Sequence, residues 1–168
     1  MIADDIRETL NKVCKALSNH NVDYLVVGGA AVSYYGHKRP SAIIKSKPEL
    51  KVDLDFWYNP TVSNFYNLLN ALDDLAVDTA DLRKIVFNPN RTFLKIPHEA
   101  FHTDFLPVMK GLSSYRESKK RSEKVQIDGN ELYIIGYDDL VLNKRSVNRQ
   151  IDKIDLDELG KKRASKNK

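Results

Sequence analysis

The most constraining feature is an apolar run, Val22-Asp23-Tyr24-Leu25-Val26-Val27, that passes without a spacer into Gly28-Gly29 and then into Ala30-Ala31-Val32-Ser33-Tyr34-Tyr35, which stops at Gly36. A short apolar run bounded by turn residues reads as a buried strand, and the segment after the glycines reads as a helix. A strand that ends directly in a helix needs a sheet with helices laid against it, so the chain is expected to be α/β or α+β. At 168 residues it suits one domain with an appended helical piece. A core of that size needs no disulfide, and Cys14, the single cysteine, can form none within the chain.

Other segments extend the pattern. Ile2, Ile6, Leu10, Val13, Cys14 and Leu17 recur at helical spacing, predicting a first helix that ends near Ser18 to Asn21 and uses Cys14 for packing. Lys51 to Tyr58 is the next expected strand, followed by a helix from about Thr61 to Leu75. Lys84 to Phe87, Thr92 to Ile96 and Phe101 to Leu106 read as further strands. Val125 to Ile127 and Leu132 to Ile135 flank Asp128-Gly129-Asn130, a hairpin signal. Helices are expected from about Tyr137 and Gln150. The expected layout is a core over about 22–136, C-terminal helices over about 137–160 and a basic tail over 161–168.

Charge and hydropathy narrow the classes. No apolar run approaches the ~18 residues of a membrane span, and the N-terminus shows no signal-type leader, so a cytoplasmic protein is expected. The net charge of +4 resides in the last eight residues, which hold Lys161, Lys162, Arg163, Lys166 and Lys168 and no acid; the remainder has 22 bases against 23 acids. A second cluster, from Lys110 to Lys124, has six bases and two acids. Such runs guide a polyanion such as RNA to a surface, and they equally describe a solvated tail and a solvated helix face.

Three features bear on chemistry. Glycines at 28 and 29 let backbone approach a ligand closely, with free N–H groups suited to phosphate, although a Gly-Gly pair is also an ordinary turn. In Asp53-Leu54-Asp55, residues two apart on a strand share a face, so both carboxylates project together. Carboxylates brought to ~4 Å repel by about 4 kcal/mol at a surface-like dielectric, which favours a cation between them, Mg²⁺ being the natural hard ion; an exposed acidic edge is the alternative. In Phe101 to Leu106, alternation puts Asp104 opposite Phe101, Thr103 and Phe105. If that strand neighbours Asp53 and Asp55, three carboxylates converge, enough for two-metal phosphoryl or nucleotidyl transfer.

This order, together with Asp139-Leu140-Val141-Leu142-Asn143-Lys144 and the later Arg149, Asp152 and Asp155, resembles the DNA polymerase β-like nucleotidyltransferase superfamily. The last group resembles the Lys-x4-Arg-x2-Asp-x2-Asp helix signature of its small prokaryotic members, the minimal and the toxin-type nucleotidyltransferases. The resemblance runs from about Val22 to Leu159 and implies a mixed sheet flanked by helices. It implies that Gly28 and Gly29 cradle an NTP triphosphate, that Asp53, Asp55 and Asp104 hold Mg²⁺ or Mn²⁺, and that Asp104 helps deprotonate the acceptor hydroxyl. Lys144 would reach the phosphates. Ser33 would touch a phosphate or face solvent, and Arg149 with Asp152 would form a helix-packing ion pair or a substrate contact. The implied acceptor is an RNA 3′ end or a protein, with an antitoxin protein as partner if the toxin-type likeness holds. Two departures stand out: a lysine-bearing insertion over 40–51 after Arg39, and Gly29 where polymerase-like members carry Ser.

Two rivals remain from the residues. One is a catalytically idle nucleotide-, RNA- or protein-binding module of the same fold. The other is a zinc metallopeptidase, because His98-Glu99-Ala100-Phe101-His102 is a literal His-Glu-x-x-His string. That chemistry needs a helix, whereas Pro97 precedes the string and β-branched and aromatic residues flank it. The alternative is a turn at His98-Glu99 and a strand in which His102 faces the same way as Asp104.

Overall fold

The computed structural model describes residues 4–36, 43–44 and 51–168. Helix α1 (Asp4–Asn19) leads into strand β1 (Tyr24–Val27) and helix α2 (Gly28–Tyr34). Strands β2 (Ile43–Ile44) and β3 (Lys51–Tyr58) precede helix α3 (Val62–Asp74). Then come β4 (Leu94–Pro97), β5 (Phe101–Leu106), α4 (Tyr115–Lys120), β6 (Glu123–Ile127), β7 (Asn130–Ile134), α5 (Tyr137–Val147) and α6 (Gln150–Lys166). The strands form one mixed sheet in the order β4-β5-β3-β1-β7-β6, with β2 paired to β3. The expected α/β (α+β) class, a mixed sheet flanked by helices, is the class observed.

Local chemistry explains the elements. The apolar stripe of α1 buries Leu10, Val13, Cys14 and Leu17 completely, and α1 packs on α3 and against β3 and β7. Each such side chain contributes roughly 1.5–3 kcal/mol of transfer free energy. Burial pushes the Cys14 thiol up to about 12, so it packs as a small apolar group. Thr61 caps α3 by accepting the Asn64 amide at 3.2 Å. The β6–β7 hairpin turns on Asp128 and Gly129, both at positive φ, the conformation an Asp-Gly turn requires. Asn148, left-handed at φ 57°, ends α5, and Arg149 and Asp152 cap the start of α6 reciprocally. On β3 and β5 the inward residues Leu54, Phe56, Thr103 and Phe105 are fully buried, and Phe56 stacks on Phe105 at 5.2 Å between centroids. Their neighbours Asp53, Asp55 and Asp104 therefore point to the opposite face, as the alternation predicts.

Three expectations need correction. Lys84 to Phe87 is not a strand: Leu82–Lys84 is a 3₁₀ turn. The Arg83 guanidinium is tied to Asp73 at 2.7 Å and Asn70 at 2.9 Å. Val86 is 91% exposed, so no apolar face holds a ladder there. The strand expected over Thr92 to Ile96 begins two residues later, at Leu94. The basic tail is not a separate segment but the last turns of α6, where Lys161 bridges Asp157 at 3.0 Å and Glu158 at 3.3 Å. The 40–51 insertion with Lys45 and Lys47, the role of Arg39 and the loop position of His37 lie outside the described residues, except that β2 pairs with Lys51 and Val52. Among the described residues no helix is long and apolar enough to cross a membrane.

Candidate functional site

Four strands place the site. Val27 is the register partner of Asp55, Asp55 of Asp104, and Asp104 of Lys95, so these residues form one row across β1, β3, β5 and β4. Asp53 lies two residues back on β3, on the same face as Asp55 and beside His102. One carboxylate oxygen from each of Asp53, Asp55 and Asp104 lies within 4.8 Å of the others, and this is the one potential metal-ligating cluster among the described residues. The strand adjacency that the acidic pattern required is present.

The three carboxyls are close enough to act on one another electrostatically. All three carboxyls are partly buried, and none has a hydrogen bond or ion pair among the described residues. Burial, then repulsion from Asp53 and Asp104, pushes Asp55 up to about 7 against the pull of Lys144 and Arg149. Burial and the Asp104 charge raise Asp53. Burial raises Asp104, with Lys95 and His102 pulling the other way. Partly buried acids without partners destabilise a fold until a cation joins them. On an octahedral Mg²⁺ ion with 2.1 Å bonds, adjacent ligands are about 3 Å apart and opposed ones about 4.2 Å, so oxygens within 4.8 Å of one another would draw together on binding. The donor set, all carboxylate oxygen, fits Mg²⁺ or Mn²⁺ and does not resemble a zinc site.

Gly28 is necessary for this arrangement. It has φ +62°, and a Cβ there would overlap the Asp55 carboxylate. The glycine turn and the acidic strand are therefore one structural unit. They open on a cleft of about 420 Å³ lined by Gly28, Asp55, Asp104, Lys144 and Arg149 on its polar side and by Phe93 and Val108 on its apolar side. A larger cavity of about 670 Å³ lies beside His98, but none of the three carboxylates lines it.

The remaining candidates differ from expectation. The Lys144 side chain is 3% exposed, and its ammonium lies 3.0 Å from Asp152 and 3.1 Å from Asp155, both fully buried. It faces the cleft from within a buried ion network that joins α5 to α6. Burial would raise Asp152, but hydrogen bonds from Arg149 and Lys144 outweigh it and hold the carboxyl at about 2. Arg149 and Asp152 form an ion pair, at 2.8 Å, that caps the start of α6, while Arg149 also lines the cleft. Ser33 does not face solvent: it is buried, its hydroxyl has no hydrogen-bond partner among the described residues, and it does not line the cleft. Helical phase turns it toward the core.

The His-Glu-x-x-His string is not helical. His98 is at the turn between β4 and β5, His102 is within β5, and His98 bonds Thr103 Oγ1 at 2.9 Å while stacking on Phe101. Two imidazoles one helical turn apart do not exist here, which removes the basis for a zinc peptidase. The basic cluster over 110–124 is largely neutralised in place. Lys119 pairs with Asp23 and lies 3.5 Å over the Tyr133 ring, Lys120 pairs with Glu117, Arg121 with Asp139 and Lys124 with Glu131.

Sequence reasoning missed Lys95 and Phe93. The alternation Leu94-Lys95-Ile96 puts Lys95 on the outer face, but only the β4–β5 register brings it opposite Asp104.

No protein-family model matches the chain, and no curated protein does. Solved structures do. A Thermotoga maritima protein inferred to be a nucleotidyltransferase superposes over 99% of this chain and 96% of its own, with TM-score 0.53 and 13% identity. An antigenic nucleotidyltransferase-like protein from Paracoccidioides brasiliensis superposes over 95% of this chain and 77% of its own, with TM-score 0.52 and 13% identity. The likeness spans the sheet, the glycine turn and the C-terminal helices together, and it shows that this chain has a nucleotidyltransferase-like fold.

Proposed function

We propose that the protein is a metal-dependent nucleotidyltransferase that transfers the NMP of an NTP to an acceptor hydroxyl and releases pyrophosphate. The observation that carries this reading is the meeting of Asp53, Asp55 and Asp104 within 4.8 Å on the outer face of two adjacent strands, beside Gly28. In this reading Asp53 and Asp55 hold Mg²⁺ or Mn²⁺ and Asp104 completes the set. The glycine turn receives the triphosphate, its first helical amides having no side-chain cap to compete with phosphate oxygens. Arg149 flanks the phosphates from the α5–α6 side, and Lys144 acts mainly by keeping Asp152 and Asp155 neutralised.

Bound divalent ions would supply Lewis-acid polarisation of the phosphoryl oxygens and a lowered pKa for the attacking hydroxyl. The acceptor oxygen forms a bond to the α-phosphorus, the bond from that phosphorus to the bridging oxygen breaks, and pyrophosphate leaves with the electron pair. The hydroxyl proton passes to Asp104, the carboxylate on the neighbouring strand beside the attack. The acceptor class is an RNA 3′ end or a protein side chain. The toxin-type resemblance adds an antitoxin as proposed partner, testable by toxicity on expression and rescue by a neighbouring gene.

The test is thermal unfolding with Mn²⁺ and an NTP, followed by incubation of labelled NTPs with total RNA and lysate. A metal- and nucleotide-dependent rise in melting temperature that Asp53→Asn abolishes, with label transferred to an acceptor, supports the reading. A nucleotide shift with no transfer to any acceptor makes the protein an idle binding module. No shift at all refutes nucleotide chemistry.

A further inference from the structure

We infer that the large cavity beside His98 is a second binding site, which takes a small apolar zwitterion of the amino-acid or dipeptide class. Its volume is about 670 Å³, within the roughly 300–1,000 Å³ of pockets that hold small molecules. It lies on the inner face of the β4–β5 hairpin, whose other face carries Lys95 and Asp104. It shares no lining residue with the carboxylate cleft.

Both walls are fixed before any ligand arrives. Ala76, left-handed at φ 61°, ends α3, and the Ala76 and Val77 amides return to the carbonyls of Asp73 and Leu72. The segment that follows is tied back to α3: Thr79 donates to Asp73 at 2.6 Å and Arg83 to Asp73 at 2.7 Å. On the other side, the β4–β5 turn is closed by the His98 amide on the Phe101 carbonyl at 2.8 Å and by the His98 ring on Thr103 Oγ1 at 2.9 Å. Leu75, Val77 and Leu82 from one wall and Ile96 and Phe101 from the other supply an apolar lining.

The charges around that lining come in both signs. Lys12, from α1, is exposed; its ammonium lies 5.7 Å from the centre of the Phe101 ring and makes no ion pair among the described residues. Glu99 is exposed and makes none either. Asp81 is paired with Lys84 at 3.1 Å, and Asp78 accepts the Ala80 amide at 3.0 Å. Burial, then the Lys12 and His102 charges, bring His98 down to about 4, so its imidazole adds no charge at neutral pH. A ligand with an ammonium alone would be repelled by Lys12, and one with a carboxylate alone by Glu99 and Asp78. The same acids turn away a triphosphate. A body that carries both groups answers both signs and leaves its apolar part on the lining.

The test is an amide-resolved NMR titration with L-phenylalanine and with L-leucyl-L-phenylalanine. Each is set against its N-acetylated form, which lacks the ammonium, and its C-terminal amide, which lacks the carboxylate. Millimolar zwitterion should shift amides over 75–82 and 96–101, and the tighter of the two gives the length of the ligand. Each capped form should bind roughly 2- to 5-fold more weakly, the range of one exposed ion pair. Lys12→Gln should weaken the zwitterion and its N-acetylated form and spare the amide. Glu99→Gln should weaken the zwitterion and its amide and spare the N-acetylated form. Both side chains are exposed, so neither substitution should disturb the fold. No shift with either zwitterion, shifts confined to the cleft of Asp55 and Asp104, or a capped form that binds as tightly as its zwitterion would overturn the inference. So would a loss in Lys12→Gln that is the same for every probe. None of these readouts uses metal or nucleotide, so their outcome is separate from that of the nucleotidyl-transfer reading.

Discussion

Asp55→Asn offers a quantitative check on the electrostatics of the site. The Asp55 carboxyl titrates at about 7 in the folded protein against an ordinary 3.8. A raised acid pKa means that the folded state holds its proton more tightly than the unfolded chain does. Below the ordinary value there is no penalty. As pH rises through the interval, the unfolded chain ionises first, and the fold loses stability until about pH 7, where the loss levels off. Each pH unit in that window is worth about 1.4 kcal/mol, so between pH 5 and pH 8 the metal-free protein loses roughly 2–3 kcal/mol through this group. Asparagine has the same shape and no charge to lose. Urea unfolding in chelator should therefore show Asp55→Asn gaining on the unsubstituted protein by roughly 2–3 kcal/mol from pH 5 to pH 8, or about 5–10 °C in melting temperature. Mn²⁺ should reverse the order at pH 8, because only the carboxylate gains a cation. A stability difference that is flat with pH, or an unsubstituted protein that is the more stable at pH 8 in chelator, would refute the reasoning.

Three further outcomes follow from the same geometry. Gly28→Ala forces a Cβ against Asp55 at a positive φ, so it should cost roughly 1–3 kcal/mol in urea unfolding and weaken Mn²⁺ binding measured by calorimetry. Lys144→Met removes the buried ammonium shared by Asp152 and Asp155, leaving Asp152 to Arg149 alone, and should cost about 3–5 kcal/mol in urea unfolding at pH 7, with part of the loss recovered as pH falls and the acids protonate. Glu99→Gln, in the exposed turn between β4 and β5, should leave nucleotide-dependent melting and label transfer unchanged, and elemental analysis of the purified protein should find no stoichiometric zinc.

The parts legible in the sequence are those governed by local rules. The β1 run ended in glycines, β3 and β5 alternated, Asp128-Gly129 marked the hairpin, and Asn148 and Arg149 stood where α5 gives way to α6. The acidic face followed from strand parity alone, because a period of two leaves Asp53, Asp55 and Asp104 no other side once Leu54 and Phe105 are buried. What sequence could not supply was pairing between distant residues. Lys144 reads as a free cation until α6 folds back and brings Asp152 and Asp155 to it. The bases from Lys119 to Lys124 read as a patch until Asp23, Asp139 and Glu131 arrive from other elements. Ile85-Val86 reads as a strand because β-branched residues favour one, yet Val86 is 91% exposed and the segment meets the core through Phe87 on Phe65. Lys95 acquires meaning only from the register that sets it opposite Asp104, and Phe93 only from the cleft it lines.

Whether one divalent ion is shared by residues 53, 55 and 104 is decided most directly by anomalous diffraction from crystals grown with Mn²⁺ and a non-hydrolysable NTP analogue. The expected result is an anomalous peak bonded to oxygens of Asp53, Asp55 and Asp104, with the analogue's phosphates reaching toward Gly28. A map with no peak among these three carboxylates, or with manganese and nucleotide seated together at another cleft, would contradict the assignment.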